Sequence, residues 1–196
     1  EGDEPVIGIV TRFVAHKGLD LIKYIFEELV DRGFKFVIIG SGEKIYEDFF
    51  NEMSLRYSDK VSVTIGFVPE LARKIYAGSD MFLMPSLFEP CGLNQIYSLR
   101  YGTIPIVRAT GGLDDTIENY DAYHKSGTGF KFYDASPIAL LNTVQWAVDV
   151  YYNDKEGMQA LRSNAMSKRY EWSKAAQGYE GIYHHIINGR LNSHHN

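Results

Sequence analysis

Two cationic side chains stand five positions apart in the segment Thr11-Arg12-Phe13-Val14-Ala15-His16-Lys17-Gly18. Because this segment follows a short apolar run and precedes one with helical periodicity, we predict a loop between a strand and a helix. Arg12 and Lys17 can then converge on one diphosphate, where preorganised cations lower the barrier to a reaction that builds charge on the leaving oxygen. The same spacing is equally typical of a solvated basic loop, and both interpretations stay open.

The densest group of chemically useful residues is Pro85-Ser86-Leu87-Phe88-Glu89-Pro90-Cys91-Gly92-Leu93-Asn94-Gln95. We predict that a helix begins at Gly92, which leaves the amides of Cys91, Gly92 and Leu93 as free donors at a positive helix end that suits a phosphate. Glu89 precedes them and is a candidate for contacting sugar hydroxyls. Alternatively, Glu89 is a first-turn carboxylate that only complements the helix dipole.

Two further segments place glycine directly after a predicted strand. Gly40 belongs to a Gly-x-Gly segment that lacks the third glycine of the dinucleotide fingerprint, and an ordinary strand-to-helix turn is the favoured interpretation. Thr110, Gly111 and Gly112 offer a close approach of backbone to ligand beside the Glu89 segment. Since no complete fingerprint follows any strand, the sequence argues against a dinucleotide-dependent oxidoreductase.

The cysteine and histidine content gives no indication of a metal site. The chain has one cysteine, Cys91, so it forms no internal disulfide and is expected in a reducing compartment, the cytosol. We interpret Cys91 as a small residue beside a ligand, because no histidine close in sequence activates it as a nucleophile. The carboxyl-terminal histidines have no carboxylate or cysteine partner pattern typical of zinc: His184, His185, His194 and His195.

The elements that must position these residues are short apolar strands alternating with amphipathic helices. Continuous apolar runs predict a six-stranded parallel α/β sheet, doubly wound and covered by helices on both faces. The first helix presents an apolar face that includes Leu19 and Phe26, and the second one of Ile45, Phe49 and Met53. Only helical patterns follow residue 137, with breaks predicted at Gly157 and at residues 171–172. The six predicted strands are residues 6–10, 36–39, 61–65, 81–84, 104–107 and 130–132.

Length and charge bound the function further. A chain of 196 residues with 45% hydrophobic residues fits one domain, taken as residues 1–196. Its net charge of -5 gives no electrostatic reason to bind nucleic acid, and no apolar run approaches the ~18 residues that cross a membrane. The start at Glu1, with neither methionine nor signal peptide, predicts a cut made in a longer chain.

Taken together, these motifs resemble the glycogen and starch synthases of bacteria, archaea and plants, which are glycosyltransferases with two Rossmann-like domains, the GT-B architecture. The resemblance is carried by Phe88-Glu89-Pro90-Cys91-Gly92-Leu93, then Leu99-Arg100-Tyr101-Gly102-Thr103-Ile104-Pro105, then Thr110-Gly111-Gly112-Leu113-Asp114-Asp115-Thr116. Agreement extends from Arg12 to Trp172, Ala175 and Ala176, which covers essentially the whole chain.

The resemblance implies roles for individual residues. Arg12 and Lys17 are expected to hold the phosphates of the donor and Glu89 to contact its glucosyl ring, which makes these three the catalytic candidates. Phe67 is expected to lie against the base. Many related glycosyltransferases carry a second glutamate eight positions after the first, where this chain has Tyr97, and this departure favours the glycogen and starch synthase branch. Asn94 stands where many synthases have threonine.

The function implied is binding of ADP-glucose or UDP-glucose by the carboxyl-terminal half of a retaining glucan synthase, without cofactor or metal. An absent amino-terminal domain would supply the α-1,4-glucan acceptor site, so the chain alone is expected to be inactive. One alternative is the donor domain of a sucrose- or trehalose-forming GT-B enzyme. The other is a non-catalytic nucleotide-binding module, against which the presence of Arg12, Lys17 and Glu89 together argues.

Overall fold

Six parallel strands form a single sheet in the computed structural model, which describes residues 4–170. All six coincide with apolar runs in the sequence, and three of them have the predicted bounds. The first two extend further towards their carboxyl ends than predicted, so that Arg12 lies within a strand instead of a loop. The strands are β1 (Val6–Phe13), β2 (Lys35–Gly42), β3 (Val61–Ile65), β4 (Met81–Met84), β5 (Ile104–Arg108) and β6 (Phe130–Phe132).

The order of the strands across the sheet is β3-β2-β1-β4-β5-β6, and every neighbouring pair is parallel. The prediction of a doubly wound α/β fold is therefore confirmed. The chain runs outward from β1 in one direction and, after β3, returns to begin the other half at β4. The crevice between the carboxyl ends of β1 and β4 is the place where such sheets bind ligands.

Within residues 4–170, seven α-helices connect the strands or follow the last one. They are α1 (Leu19–Asp31), α2 (Lys44–Arg56), α3 (Pro69–Gly78), α4 (Asn94–Tyr101), α5 (Gly111–Thr116), α6 (Pro137–Asn153) and α7 (Lys155–Ser167), with a short 3-10 helix at Ala15–Lys17. All four residues of β4 are buried, and since successive side chains point to opposite faces, both faces of the sheet are covered. Trp146 of α6 packs edge-on against Phe130 of β6 at 4.8 Å between ring centroids.

The buried face of α2 differs from the predicted one. Ile45 is 59% exposed, whereas Tyr46, Phe50 and Met53 are buried. Phe49 and Phe50 are adjacent, so the apolar pattern fits two faces rotated by one residue. Contacts with neighbouring elements decide between them, because Phe50 packs on Phe13 at 5.0 Å and the Tyr46 hydroxyl donates to Asp20 at 3.0 Å.

Three helix boundaries also differ from the predictions. Helix α4 begins at Asn94 instead of Gly92, whose φ of +70° lies in the left-handed region. The segment 111–116 forms the short helix α5 instead of an open loop. The break between α6 and α7 falls at Asp154, which caps α7 by accepting from the amide of Gly157 at 2.9 Å, so Gly157 lies inside the helix. The break predicted at residues 171–172 lies outside the described residues.

Candidate functional site

The segments that follow β1, β4 and β5 meet at the crevice between the two halves of the sheet. The Leu87 amide donates to the His16 carbonyl at 2.8 Å, which joins the β1 segment to the β4 segment. The Gly112 amide donates to the Glu89 carbonyl at 2.9 Å, and Arg108 Nη1 donates to the Leu87 carbonyl at 3.0 Å. The loops in which the sequence places the candidate binding and catalytic residues therefore form one continuous surface.

A close ion pair stands at the centre of this surface. Lys17 Nζ lies 2.5 Å from Glu89 Oε2, and the Ser86 hydroxyl donates to the same oxygen at 3.2 Å. Glu89 is only 8% exposed, so Lys17 and Ser86 compensate a carboxylate that has lost most of its water. Its Oε1 accepts no hydrogen bond from residues 4–170 and is available to a ligand hydroxyl.

The position of Glu89 decides between two of the sequence interpretations. Glu89 lies five positions before the first residue of α4, and its carboxylate pairs with Lys17 instead of with the amides of the helix. The interpretation of Glu89 as a first-turn carboxylate serving the helix dipole is therefore wrong. Lys17 is likewise not a solvated loop cation, because its side chain is only 17% exposed.

The loop of Cys91, Gly92 and Leu93 lies between β4 and α4, and its amides have no hydrogen-bond acceptor in the described part of the chain. None of these three amides donates a hydrogen bond to any residue in the range 4–170. The carbonyls are fixed instead, because the Gln95 side chain donates to the Cys91 carbonyl at 3.0 Å and the Gly92 carbonyl at 3.2 Å. The free donors predicted before α4 are present, although they belong to a loop and not to the first helical turn.

Gln95 ends the segment that was singled out in the sequence, but no role was predicted for it. It is fully buried, and its Nε2 also lies 3.2 Å from Thr116 Oγ1 of α5, so one side chain joins the segments after β4 and β5. A buried amide among loop residues carries no apolar periodicity, which explains why pattern analysis overlooked it. We assign Gln95 a positioning role, because its side chain is buried and its amide donates to the β4 loop and to Thr116 instead of facing open space.

The glycines after β5 serve a close approach of two protein segments. A Cβ added at Gly112 would overlap the backbone carbonyl of Cys91, and one added at Gly111 would overlap that of Glu89. The predicted close approach exists, but its partner is the β4 loop. Thr110, Gly111 and Gly112 line neither of the two cavities described next.

A cavity of about 950 Å³ opens beside the crevice, between the ends of β1 and β2 and the helices α3 and α4. Three of the predicted binding residues line it: Arg12, Gly40 and Phe67. Phe67 is 80% exposed, so its ring face is free to stack on a ligand. Lys17 lines an adjoining cleft of about 20 Å³, which shares Val10, Thr11 and Asn94 with the larger cavity.

Comparison with known protein families matches residues 1–167 to the model of the "Glycosyl transferases group 1" family. The match covers the whole sheet and both cavities. This chain belongs to the group 1 glycosyltransferases.

Within the group 1 glycosyltransferases the most similar relatives found include glycogen synthases. The chain is 52% identical to the glycogen synthase of Koribacter versatilis over 179 residues, which are 91% of this chain and 37% of the relative. It is 47% identical to glycogen synthase 1 of Geobacter metallireducens over 96% of this chain and 38% of the relative. The resemblance to this branch is confirmed, and the chain spans less than two fifths of the length of these relatives.

A solved structure supports the same placement. The catalytic domain of starch synthase IV from Arabidopsis thaliana, bound to ADP and acarbose, superimposes with a TM-score of 0.85 at 32% identity. The superposition covers 96% of this chain and 39% of that one. The six-stranded fold described above therefore corresponds to 39% of that catalytic domain.

Several residues of this glycosyltransferase line the larger cavity without having been predicted to do so. Tyr76 of α3 and Tyr97 of α4 lie on its wall with 5.7 Å between their ring centroids. Burial raises the pKa of Tyr76 above its usual range, and the neighbouring Tyr97 adds to the effect. A signal existed in the helix spacing, since the unpredicted lining residues share one face of each helix: Arg73 and Tyr76 on α3, and Tyr97, Arg100 and Tyr101 on α4.

The described part of the chain lacks two further features. Across residues 4–170, no helix combines the length and the apolar character that crossing a membrane requires. The same range holds no group of three or more histidine, cysteine, aspartate or glutamate side chains arranged to bind a metal ion. The histidines at 184, 185, 194 and 195, and Trp172, Ala175 and Ala176, lie outside the described residues.

Proposed function

We propose that this chain is the nucleotide-sugar-binding part of a glycogen or starch synthase. The donor is ADP-glucose or UDP-glucose, and glucose is transferred to the non-reducing end of an α-1,4-glucan with retention at the anomeric carbon. The observation that carries the proposal is the Lys17–Glu89 pair, 2.5 Å apart at the crevice between β1 and β4. The identity of 52% to a glycogen synthase supports the choice of reaction.

In this proposal the diphosphate lies between the β1 segment and the β4 loop. The Lys17 ammonium has three donors, so it can hold Glu89 and a phosphate oxygen at once. Arg12 approaches from the larger cavity, and the free amides of Cys91, Gly92 and Leu93 complete the set of donors. As the bond between the anomeric carbon and the diphosphate breaks, these groups stabilise the charge that grows on the leaving oxygen.

The two ends of the donor have separate partners. The base lies on the exposed ring of Phe67, next to Gly40, where the close approach of β1 and β2 leaves no room for a side chain. The glucosyl ring lies at Glu89, whose Oε1 accepts a hydrogen bond from a sugar hydroxyl. Ser86 and Lys17 hold the carboxylate in one orientation, which favours a single position of the sugar.

The glucan acceptor and the remaining catalytic groups are supplied by parts of the whole protein beyond this chain, which spans 37% to 38% of the two glycogen synthases compared above. We expect no transfer of glucose to glycogen by this chain alone, because the second side of the cleft that excludes water and aligns the acceptor is not in it. The reaction needs no metal or cofactor in this proposal, and the protein acts in the cytosol.

Calorimetric titration of the chain with ADP-glucose and UDP-glucose tests the proposal and measures the base preference. We expect saturable binding at millimolar concentration or below, about tenfold weaker in Arg12→Ala and in Lys17→Ala because each loses a charge-assisted hydrogen bond. Arg32→Ala removes the same charge from a residue paired with Glu28 and should bind as the wild type does. Absence of saturable heat with both sugar nucleotides, ADP and UDP contradicts the proposal.

Two alternatives predict different outcomes of related assays. A sucrose- or trehalose-forming enzyme would use the same donor loops, and the complete protein would transfer glucose to a small sugar instead of glycogen. A non-catalytic nucleotide-binding module would bind ADP as tightly as ADP-glucose and gain nothing from Glu89. Under our proposal Glu89→Gln weakens the binding of ADP-glucose relative to that of ADP, because ADP has no glucosyl ring to contact Glu89.

A further inference from the structure

The arginines of the structure fall into two groups. Among residues 4–170, five arginines have a hydrogen-bond partner through their guanidinium: Arg32, Arg56, Arg108, Arg162 and Arg169. The guanidinium groups of the other three have no such partner in that range: Arg12, Arg73 and Arg100. All three unpaired arginines line the same 950 Å³ cavity.

The charge of that cavity is opposite to the charge of the chain. No aspartate or glutamate in the described range lines the cavity, although the chain as a whole carries a net charge of -5. Unpaired guanidinium groups facing one concave surface favour an anion, since a planar guanidinium binds phosphate or carboxylate through two parallel hydrogen bonds. Arg12 belongs to the proposed donor site, but Arg73 and Arg100 stand on helices α3 and α4.

The two helices place these arginines on either side of an aromatic pair. The rings of Tyr76 and Tyr97 are tilted against each other with 5.7 Å between their centroids. Both helices follow parallel strands and run away from the carboxyl edge of the sheet. Arg73 therefore lies one turn nearer that edge than the pair, and Arg100 one turn farther. The two positions are about 9 Å apart along the helix axes, from six residues at 1.5 Å each. The long stems of two arginines can bring both guanidinium groups to a phosphate above the tyrosine pair.

We propose that the α3–α4 groove, formed by Arg73, Tyr76, Tyr97, Arg100 and Tyr101, is a second anion-binding site. Its ligand is a small phosphate monoester that carries a ring, distinct from the donor sugar nucleotide. The phosphate lies between Arg73 and Arg100, and the ring packs on the half-exposed faces of Tyr97 and Tyr101. Cation and aromatic surfaces are thus combined in one groove with an apolar floor that includes Val10 and Ala72.

Titration with phenyl phosphate in the presence of saturating ADP tests this site in the 196-residue chain. We expect phenyl phosphate to bind saturably, and Arg73→Gln and Arg100→Gln each to weaken it about tenfold through the loss of charge-assisted hydrogen bonds. Lys74→Gln is the matched control, because Lys74 is the next residue of α3, is exposed and does not line the cavity. It should change the affinity less than about twofold, as expected for screened surface charge.

Inorganic phosphate and ADP serve as the comparison ligands in this experiment. Inorganic phosphate should bind more weakly than phenyl phosphate, and equal affinities would contradict the part assigned to the ring. The second site would be overturned if Arg73→Gln and Lys74→Gln bound phenyl phosphate with equal affinity. It would also be overturned if ADP displaced phenyl phosphate completely. Failure of ADP to bind, with phenyl phosphate still dependent on Arg73 and Arg100, would contradict the donor proposal alone. Urea unfolding of each variant shows that the fold is retained.

Discussion

The crevice between β1 and β4 and the α3–α4 groove adjoin one another but are built in different ways. In the crevice, charged and polar side chains are already paired, as in Lys17 with Glu89 and Gln95 with the β4 loop. In the groove, Arg73 and Arg100 have no partner within residues 4–170 and stand among tyrosines.

The difference is between side chains that are preorganised before a ligand binds and side chains that are free to take up a ligand. Groups fixed before the ligand arrives need little reorganisation during a reaction, which suits the crevice to chemistry. Unpaired cations attract an anion, but their side chains must be ordered as it binds, which suits the groove to binding. Substitutions in the crevice should therefore disturb the fold as well as the ligand, whereas substitutions in the groove should leave the fold intact.

The largest effect is expected where the crevice is most tightly packed. Gly112→Ala places a Cβ on the Cys91 carbonyl, and relief requires movement of backbone in the β4 or β5 segment. We predict a loss of about 2–3 kcal/mol in the free energy of unfolding, typical of overpacking, measured by urea denaturation. Gly78→Ala, at the end of α3, meets no atom within 4 Å and is the matched control. Equal stability of the two variants would contradict the account of the crevice.

A smaller effect is expected from breaking the ion pair. Lys17→Met leaves the Glu89 carboxylate buried without its cation, and because the two side chains are 17% and 10% exposed we expect about 2 kcal/mol, less than for a fully buried pair. Lys44→Met breaks the exposed Lys44–Asp48 pair and should change the urea midpoint little. If Lys17→Met were as stable as Lys44→Met, the crevice would not be preorganised by this pair.

The smallest effect on the free energy of unfolding is expected from Tyr76 in the groove, at alkaline pH. The pKa of Tyr76 is raised in the folded protein, so the unfolded chain loses this proton first and stability falls as the pH rises above about 10. The contribution stays under about 1 kcal/mol at pH 10.5, and Tyr76→Phe should remove it. Urea denaturation from pH 9 to 10.5 measures the slope, with Tyr101→Phe as the control. Identical slopes for wild type and Tyr76→Phe would contradict the burial of this hydroxyl.

The sequence predicted the sheet well because each strand is buried on both faces and so appears as an uninterrupted apolar run. Met81–Met84 is such a run, with every residue buried. The sequence predicted the buried face of α2 less well, since Phe49 and Phe50 support two helical faces and only contacts with neighbouring elements, such as that of Phe50 with Phe13, choose between them. Local pattern gives the type of an element more reliably than its rotation, which depends on partners distant in sequence.

The candidate site was likewise predicted in part from the sequence. The spacing of the motifs predicted that Arg12, Lys17, Glu89 and the β4 amides follow strand ends at the carboxyl edge of the sheet, because the carboxyl ends of parallel strands meet there. It did not predict that Lys17 pairs with Glu89, nor that Gln95 fixes the β4 loop, since both contacts depend on side-chain directions after folding. The α3–α4 groove was missed because it consists of polar and aromatic residues on helices.

A crystal structure of this chain with ADP-glucose tests most directly whether the segments after β1 and β4 hold one diphosphate. The account predicts phosphate oxygens within about 3 Å of Lys17 Nζ, of the Arg12 guanidinium and of at least one amide among residues 91–93. Glu89 Oε1 should accept a hydrogen bond from the glucosyl ring. A donor bound with its diphosphate away from Lys17 and the β4 loop would contradict the account.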